Sequence, residues 1–322
     1  MRREVRPSRI VQLIAVVIFL LLLGVAFFLE RSQRVKPTDD YQGKTLIRNG
    51  VAYYPRQDIT VLLVMGIDQK GPAVDSGSYN NAGDADAVML VIFDESKECY
   101  SILTLNRDTM VNMPVLGLGG KQAGTRYAQL TLSHTYGNGL ADSCENTKKT
   151  VSDLLYGLRI DYYVSLRMDA IGLLNDAVGG VTVEVVDDFS AIDSTIPLGR
   201  VTLNASQALT YLQTRKGLSD QMNVTRMQRH EAYMQGFVQA LQRKLELSDY
   251  FAMDAYHLVE PYVVTDCPTN VLAGMVNRFR EYTFRDVLIP EGENVRGETY
   301  MEFYLDEEKL DELIIELFYE PK

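Results

Sequence analysis

Cysteine is scarce in this sequence: three in 322 residues. An odd, sparse set excludes a disulfide framework as the basis of stability. Net positive charge is also lacking. The formal net charge is −11, and an acidic chain does not offer the basic footprint that nucleic-acid binding requires. There is no internal repeat, no low-complexity tract and, beyond residue 30, no long apolar run. Walker, Gly-x-Gly-x-x-Gly and Gly-x-Ser-x-Gly motifs are missing, and His134, His230 and His257 are scattered. The common nucleotide-binding, serine-hydrolase and clustered His/Cys metal templates therefore fail.

What is present suffices for a substantial core, with 46% hydrophobic and 23% charged residues. The charge is unevenly spread. Residues 1–29 hold Arg2, Arg3, Arg6 and Arg9 against Glu4, a net of +3, which leaves −14 on the remainder. Between tip and body lies the apolar stretch Leu13–Leu29, extended by Ile10 and Val11 and interrupted only by Gln12. As a helix it would match the thickness of a bilayer, about 30 Å. Gly24-Val25-Ala26 resembles a cleavage site, but the apolar run continues past it, so residues 10–29 read as an uncleaved signal anchor. The arginines place residues 1–9 in the cytoplasm and the body outside the membrane.

Residues 30–58 read as a linker or a peripheral hairpin. The runs Ile59–Gly66, Ala87–Phe93 and Tyr100–Leu105 read as strands buried on both faces, the last two separated by a turn at Asp94–Lys97. Helical patterns follow at 144–158 and 169–178, the second stopped by Gly179-Gly180 ahead of a strand at Val181–Val186. Further helices are expected at 205–213 and 225–247, then a strand at Tyr300–Tyr304 and a helix at Asp306–Phe318. The alternation predicts an α/β fold, a three-layer α-β-α sandwich on a central mixed sheet. Residues 59–248 form the expected catalytic domain, and 249–322 an α/β extension packed on it.

The residues that could carry chemistry are charged groups at strand ends. Asp68 follows the first buried strand, Asp86 opens the second, and Asn106-Arg107-Asp108-Thr109 follows the third. Ligands of open α/β sheets bind at carboxyl ends of strands. Asp86 reaches the edge shared by Asp68 and Arg107 only if its strand runs antiparallel. A third group comprises Gln213-Thr214-Arg215 and the face Arg226, Arg229, His230. Carboxylates and guanidiniums converging on one edge have the composition of a metal–diphosphate site. Each also has a plain alternative. Asp68 is a turn residue, Asp86 a strand-end residue, Arg107–Asp108 a surface ion pair, and the arginine face is solvated.

These residues resemble the LytR-CpsA-Psr (LCP) family of cell-envelope phosphotransferases. The resemblance runs over residues 59–245 and is carried by VLLVMGIDQK (61–70), ADAVMLVIF (85–93), ILTLNRDTMVNMP (102–114), QLTLSHTYGNG (129–139), LLNDAVGGVTVEVVDDF (173–189) and NVTRMQRH (223–230). It implies transfer of an anionic glycopolymer from a polyprenyl-diphosphate carrier to a peptidoglycan hydroxyl, by a membrane-anchored, extracytoplasmic enzyme. It also implies Asp68 and Asp86 beside a Mg²⁺ or Mn²⁺ ion, and Asp86, Arg107, Arg215 and Arg226 as catalytic groups. Gln213, Arg229 and His230 would contact substrate, and the polyprenyl tail would lie in an apolar tunnel. Two positions depart from the family pattern: Gln213 stands for an arginine and His230 for a glutamine. A binding module that holds the carrier without turnover, and a hydrolase that uses water as acceptor, are the competing functions.

Overall fold

The structure, a computed structural model, describes residues 44–214 and 223–321, with backbone only for 223–227. The expected anchor at 10–29 and the tip at 1–9 lie outside the described residues. Among the described residues no helix is long and apolar enough to cross a membrane.

The chain enters through a hairpin, β1 (Leu46–Arg48) and β2 (Val51–Pro55). Asn49 and Gly50, with φ of 51° and 77°, form its two-residue turn; Asn-Gly accepts this left-handed backbone at little cost. The buried core strands follow: β3 (Ile59–Ile67), β4 (Ala85–Asp94) and β5 (Cys99–Leu105). Their branched apolar residues have partners on both faces, which is why they read as continuous rather than alternating runs. The β4–β5 turn is fixed by the Asp94 carboxylate, which accepts hydrogen bonds from the Ser96 hydroxyl and the Lys97 amide.

A hairpin of β6 (Met110–Leu116) and β7 (Gln122–Gln129) leads to a helical turn, α1 (Leu132–Thr135), and then to α2 (Ala141–Leu154). Next come β8 (Tyr162–Arg167), α3 (Met168–Ala177), the hairpin β9 (Val181–Val185) and β10 (Gly199–Leu203), and α4 (Ala205–Gln213). Gly179 and Gly180 do end α3: their φ values of 89° and 87° let both amides turn back onto carbonyls of the helix's last turn. A reciprocal Asn204–Gln207 capping box starts α4. Then follow α5 (Asn223–Leu247), α6 (Phe251–Val259), β11 (Val263–Thr265), α7 (Thr269–Glu281), β12 (Thr283–Leu288), β13 (Gly292–Arg296), β14 (Met301–Leu305), α8 (Glu307–Phe318) and β15 (Tyr319–Pro321).

The central sheet has the order β11-β8-β3-β4-β5-β12. Strands β3, β5, β8 and β12 run one way, while β4 and β11 run the other. The sheet is therefore mixed, as expected. On one face α2 and α8 contribute Val151, Ile314 and Phe318 to the core; on the other, α5 and α7 contribute Val238, Leu272 and Met275. A further core joins α5 to the β9–β10 hairpin and α4. The segment 249–322, expected as an extension packed on the domain, supplies both edge strands of the sheet. Its strands are short or polar, and only their neighbours define them.

Candidate active site

The antiparallel course of β4 brings its first residues to the edge where β3, β5 and β8 end. Asp68, Asp86, Arg107 and Arg167 thus share one edge of the sheet. The backbone ties them closely: the Asp68 and Asp86 amides both donate to the Asp84 carbonyl, at 2.9 and 3.1 Å. Gly66 precedes them, and a Cβ there would come within 3.1 Å of the Ala87 methyl. Both residues border a cavity, and their small size keeps its mouth open.

Arg107 is held by two carboxylates. It forms an ion pair with Asp86, and its Nε donates to Asp108 at 3.3 Å. Arg107 and Asp86 side chains are only 13% and 14% exposed, so the pair sits where its charges are little screened. Asp108 is buried rather than a surface partner: it is 4% exposed and also accepts from Gln129 at 2.9 Å. The Asn106 side chain accepts the Asp108 amide, and the Thr109 hydroxyl donates to the Asn106 carbonyl. This turn fixes the direction of the Arg107 side chain. The plain alternative of a surface ion pair at Arg107–Asp108 is thereby corrected.

The cavity onto which Asp68 and Asp86 open has a volume of about 410 Å³. Its walls are Val64, Met89, Leu166, Leu212, Tyr233 and Met234, with Gln213 and His230 at the polar end. The His230 ring bonds the Leu212 carbonyl through Nε2 at 3.1 Å, which ties α5 to the end of α4. A second cavity of about 230 Å³ lies deeper between sheet and helices. Val64, Met89, Leu166 and Met234 line both, so the two cavities are neighbours.

Arg229, expected at the substrate, does not line either cavity. It is 4% exposed, donating to Asp187 at 3.0 Å and to the Thr214 carbonyl at 2.6 Å, beside the Phe189 ring. Its position on α5 points it into the core that α5 shares with β9, and it holds the end of α4. Arg215 and the side chain of Arg226 lie outside the described residues. Arg167 is the residue at this edge that sequence reasoning misses. As the last residue of an apolar strand it carries no motif, and only the parallel pairing of β8 with β3 brings it here.

Asp68 and Asp86 offer hard oxygen donors of the kind that suit Mg²⁺, which keeps several water or phosphate ligands and needs few from the protein. Among the described residues no group of three or more His, Cys, Asp and Glu converges as a self-sufficient metal centre. A diphosphate ligand would have to complete the coordination.

Residues 27–317 match the LytR_cpsA_psr family. This chain belongs to that family. Among its relatives is the polyisoprenyl-teichoic acid–peptidoglycan teichoic acid transferase TagU of Oceanobacillus iheyensis, 26% identical over 51% of this chain and 46% of the relative. TagT of Bacillus subtilis, with the same enzyme name, is 28% identical over 56% of this chain and 52% of its own length. The chain thus matches about half the length of each. Among solved structures, TagT bound to LI-WTA superposes with a TM-score of 0.62 at 21% identity, covering 88% of this chain and 94% of that one. B. subtilis TagV superposes with a TM-score of 0.61 at 22% identity, over 81% and 96%. The LytR_cpsA_psr fold therefore extends over the mixed sheet and its flanking helices.

Proposed function

We propose that this protein transfers an anionic glycopolymer from a polyprenyl-diphosphate carrier to a hydroxyl of peptidoglycan, as a membrane-anchored enzyme working outside the cytoplasm. One observation carries the reading: the apolar space between sheet and helices has Asp68 and Asp86 at its border, with Arg107 paired to Asp86. A ligand with a long hydrocarbon tail and a charged phosphate head has that distribution of chemistry. The names of the relatives, polyisoprenyl-teichoic acid–peptidoglycan teichoic acid transferases, support the same class.

In the proposed reaction the acceptor hydroxyl attacks the phosphorus that bears the polymer. The new P–O bond forms as the bond to the polyprenyl phosphate breaks, and polyprenyl monophosphate leaves. Arg107 donates to the non-bridging oxygens, where negative charge grows. In the free protein its fork is occupied by Asp86 and Asp108, which orients it in advance. A phosphate oxygen competing for that fork releases Asp86 to accept the hydroxyl proton. Arg215 and Arg226 add cations, and Gln213 and His230 add polar contacts at the cavity's polar end. Asp68 and Asp86 would hold a Mg²⁺ or Mn²⁺ ion, which supplies charge neutralisation of the diphosphate. The anchor at residues 10–29 keeps the enzyme at the surface where its lipid donor resides.

Full-length protein in detergent, given Mg²⁺, a radiolabelled polyprenyl-diphosphate-linked polymer and peptidoglycan oligomers, is expected to produce labelled peptidoglycan. Arg107→Ala is expected to lower the rate by a factor on the order of 10²–10³, and chelation of the metal to stop it. Release of free polymer instead would mean hydrolysis. Tight carrier binding with no product would mean a non-catalytic binding module. Either outcome overturns the reading.

A further inference from the structure

Arg167 closes β8, level with Ile67 of β3, which is itself level with Ala85 of β4. Its chain neighbours Leu166 and Met168 face the cavity. Alternation along the strand turns Arg167 to the opposite face, toward α1, where its charge acts on His134. The residue is 8% exposed.

Other well-covered guanidiniums show what such a residue normally requires. Arg56, Arg107 and Arg229, with side chains 9%, 13% and 5% exposed, each hold a carboxylate. Arg167 holds none: no ion pair and no hydrogen bond joins it to another described residue. Burial lowers its basicity with nothing to offset that effect. Asp84, the acid beside His134, is engaged by the Thr135 hydroxyl at 2.6 Å. A covered, uncompensated cation is costly to fold around. A second observation lies on the same edge. Thr131 is 1% exposed and its hydroxyl has no partner. Its backbone bridges the carboxylate edge, donating to the Arg107 carbonyl and accepting from the Ala85 amide.

We propose that Arg167 is an anion anchor of this edge that grips the oxygens of a phosphate or diphosphate group. The guanidinium presents a planar fork that matches two phosphate oxygens. The assignment deepens the transferase reading and rests on it for the identity of the natural ligand. It gives the site a cation that no motif reveals, on the opposite flank of β3 from Arg107.

The test uses full-length protein and two probes, inorganic pyrophosphate and a polyprenyl diphosphate in detergent micelles, with binding read by calorimetry. Arg167→Gln is expected to weaken both roughly ten- to hundredfold. The ligand-free variant is expected to melt at or above the wild-type temperature, because a covered charge without a partner has been removed. Arg167→Lys keeps the charge without the fork and is expected to fall between the two. Unchanged affinity for both probes overturns the proposal. So does a large drop in melting temperature in both variants with equal loss of binding, since that marks a purely structural arginine. Weakening of pyrophosphate alone supports the anchor and makes a free diphosphate its ligand. Pyrophosphate binding is read without turnover, so a failure of the transferase reading leaves this result standing.

Discussion

The two faces of the central sheet are built from similar residues and packed differently. Beneath α2 and α8, Leu63, Leu103, Val151 and Ile314 are buried to within 1%; the apolar core there is filled, and the cavity of about 290 Å³ beside α8 is bordered by charged groups such as Arg56, Asp94 and Arg285. Beneath α5, α6 and α7 the lining is as apolar, but cavities of about 230 and 410 Å³ remain. Protein interiors ordinarily close such space, because unfilled volume forfeits dispersion contacts. One face keeps its apolar core filled, and the other leaves apolar space of the kind the proposed lipid carrier would occupy.

The sharpest contrast is expected from matched truncations. Ile314→Ala, on the filled face, should cost about 2–5 kcal/mol. Met234→Ala, which borders both cavities, should cost less than about 2 kcal/mol, since fewer contacts are there to lose. Urea unfolding measures both, and equal losses would break the comparison. Acid should act next, through the filled face. His134 is a buried residue of α1, and burial holds its pKa down from the usual 6.5 to about 4. The unfolded chain takes up a proton that the folded chain refuses. Stability is therefore whole above pH 6.5 and falls as the pH drops toward 4, by up to about 3 kcal/mol. His134→Gln should flatten this slope in pH-dependent melts; an unchanged slope would assign it to other groups.

A smaller loss is expected at Gly236, where α5 lies against β9. A Cβ there would run into the Thr182 carbonyl and the Val181 side chain. Gly236→Ala should cost about 1–3 kcal/mol and, by displacing a wall of the cavity, reduce retention of a radiolabelled polyprenyl phosphate. Retention at the wild-type level despite the stability loss would show that α5 does not set the cavity's shape. The smallest stability effect should come from Ala255→Phe, which projects into the deeper cavity. A change below about 1 kcal/mol is expected, with lipid retention lost. A large destabilisation would show that face to be as filled as the other.

Much of this arrangement is legible in the order of the residues. Continuous apolar runs mark β3, β4 and β5, and the paired glycines mark the end of α3. The antiparallel course of β4 is the condition under which Asp86 joins Asp68 and Arg107, and the sheet meets it. What stays hidden has physical causes. Strand β7 is exposed and polar over most of its length, so it has no alternation to detect. Strand β11 is three residues long, and β12 leaves most of its residues exposed; both are strands because a neighbour offers hydrogen bonds. Asp108 resembles half of a surface pair because its burial depends on Gln129 and on β14, whose Phe303 amide donates to the Asp108 carbonyl. Arg229 is engaged by Asp187 and the Thr214 carbonyl, partners that spacing on one helix cannot reveal without its neighbours.

The sheet's outer strands come from the last quarter of the chain: β11 flanks β8, and β12 flanks β5. Synthesis delivers β3, β4 and β5 first, and β5 must wait some 180 residues for the strand that covers it. Until residue 288 emerges, an apolar strand keeps a row of unsatisfied amides and carbonyls that any other extended chain can pair with. Contacts this distant in sequence also form slowly. The late edge makes this a protein whose safe assembly depends on the order and pace of its emergence, and a chain cut short after α5 would be a candidate for aggregation rather than a smaller folded domain.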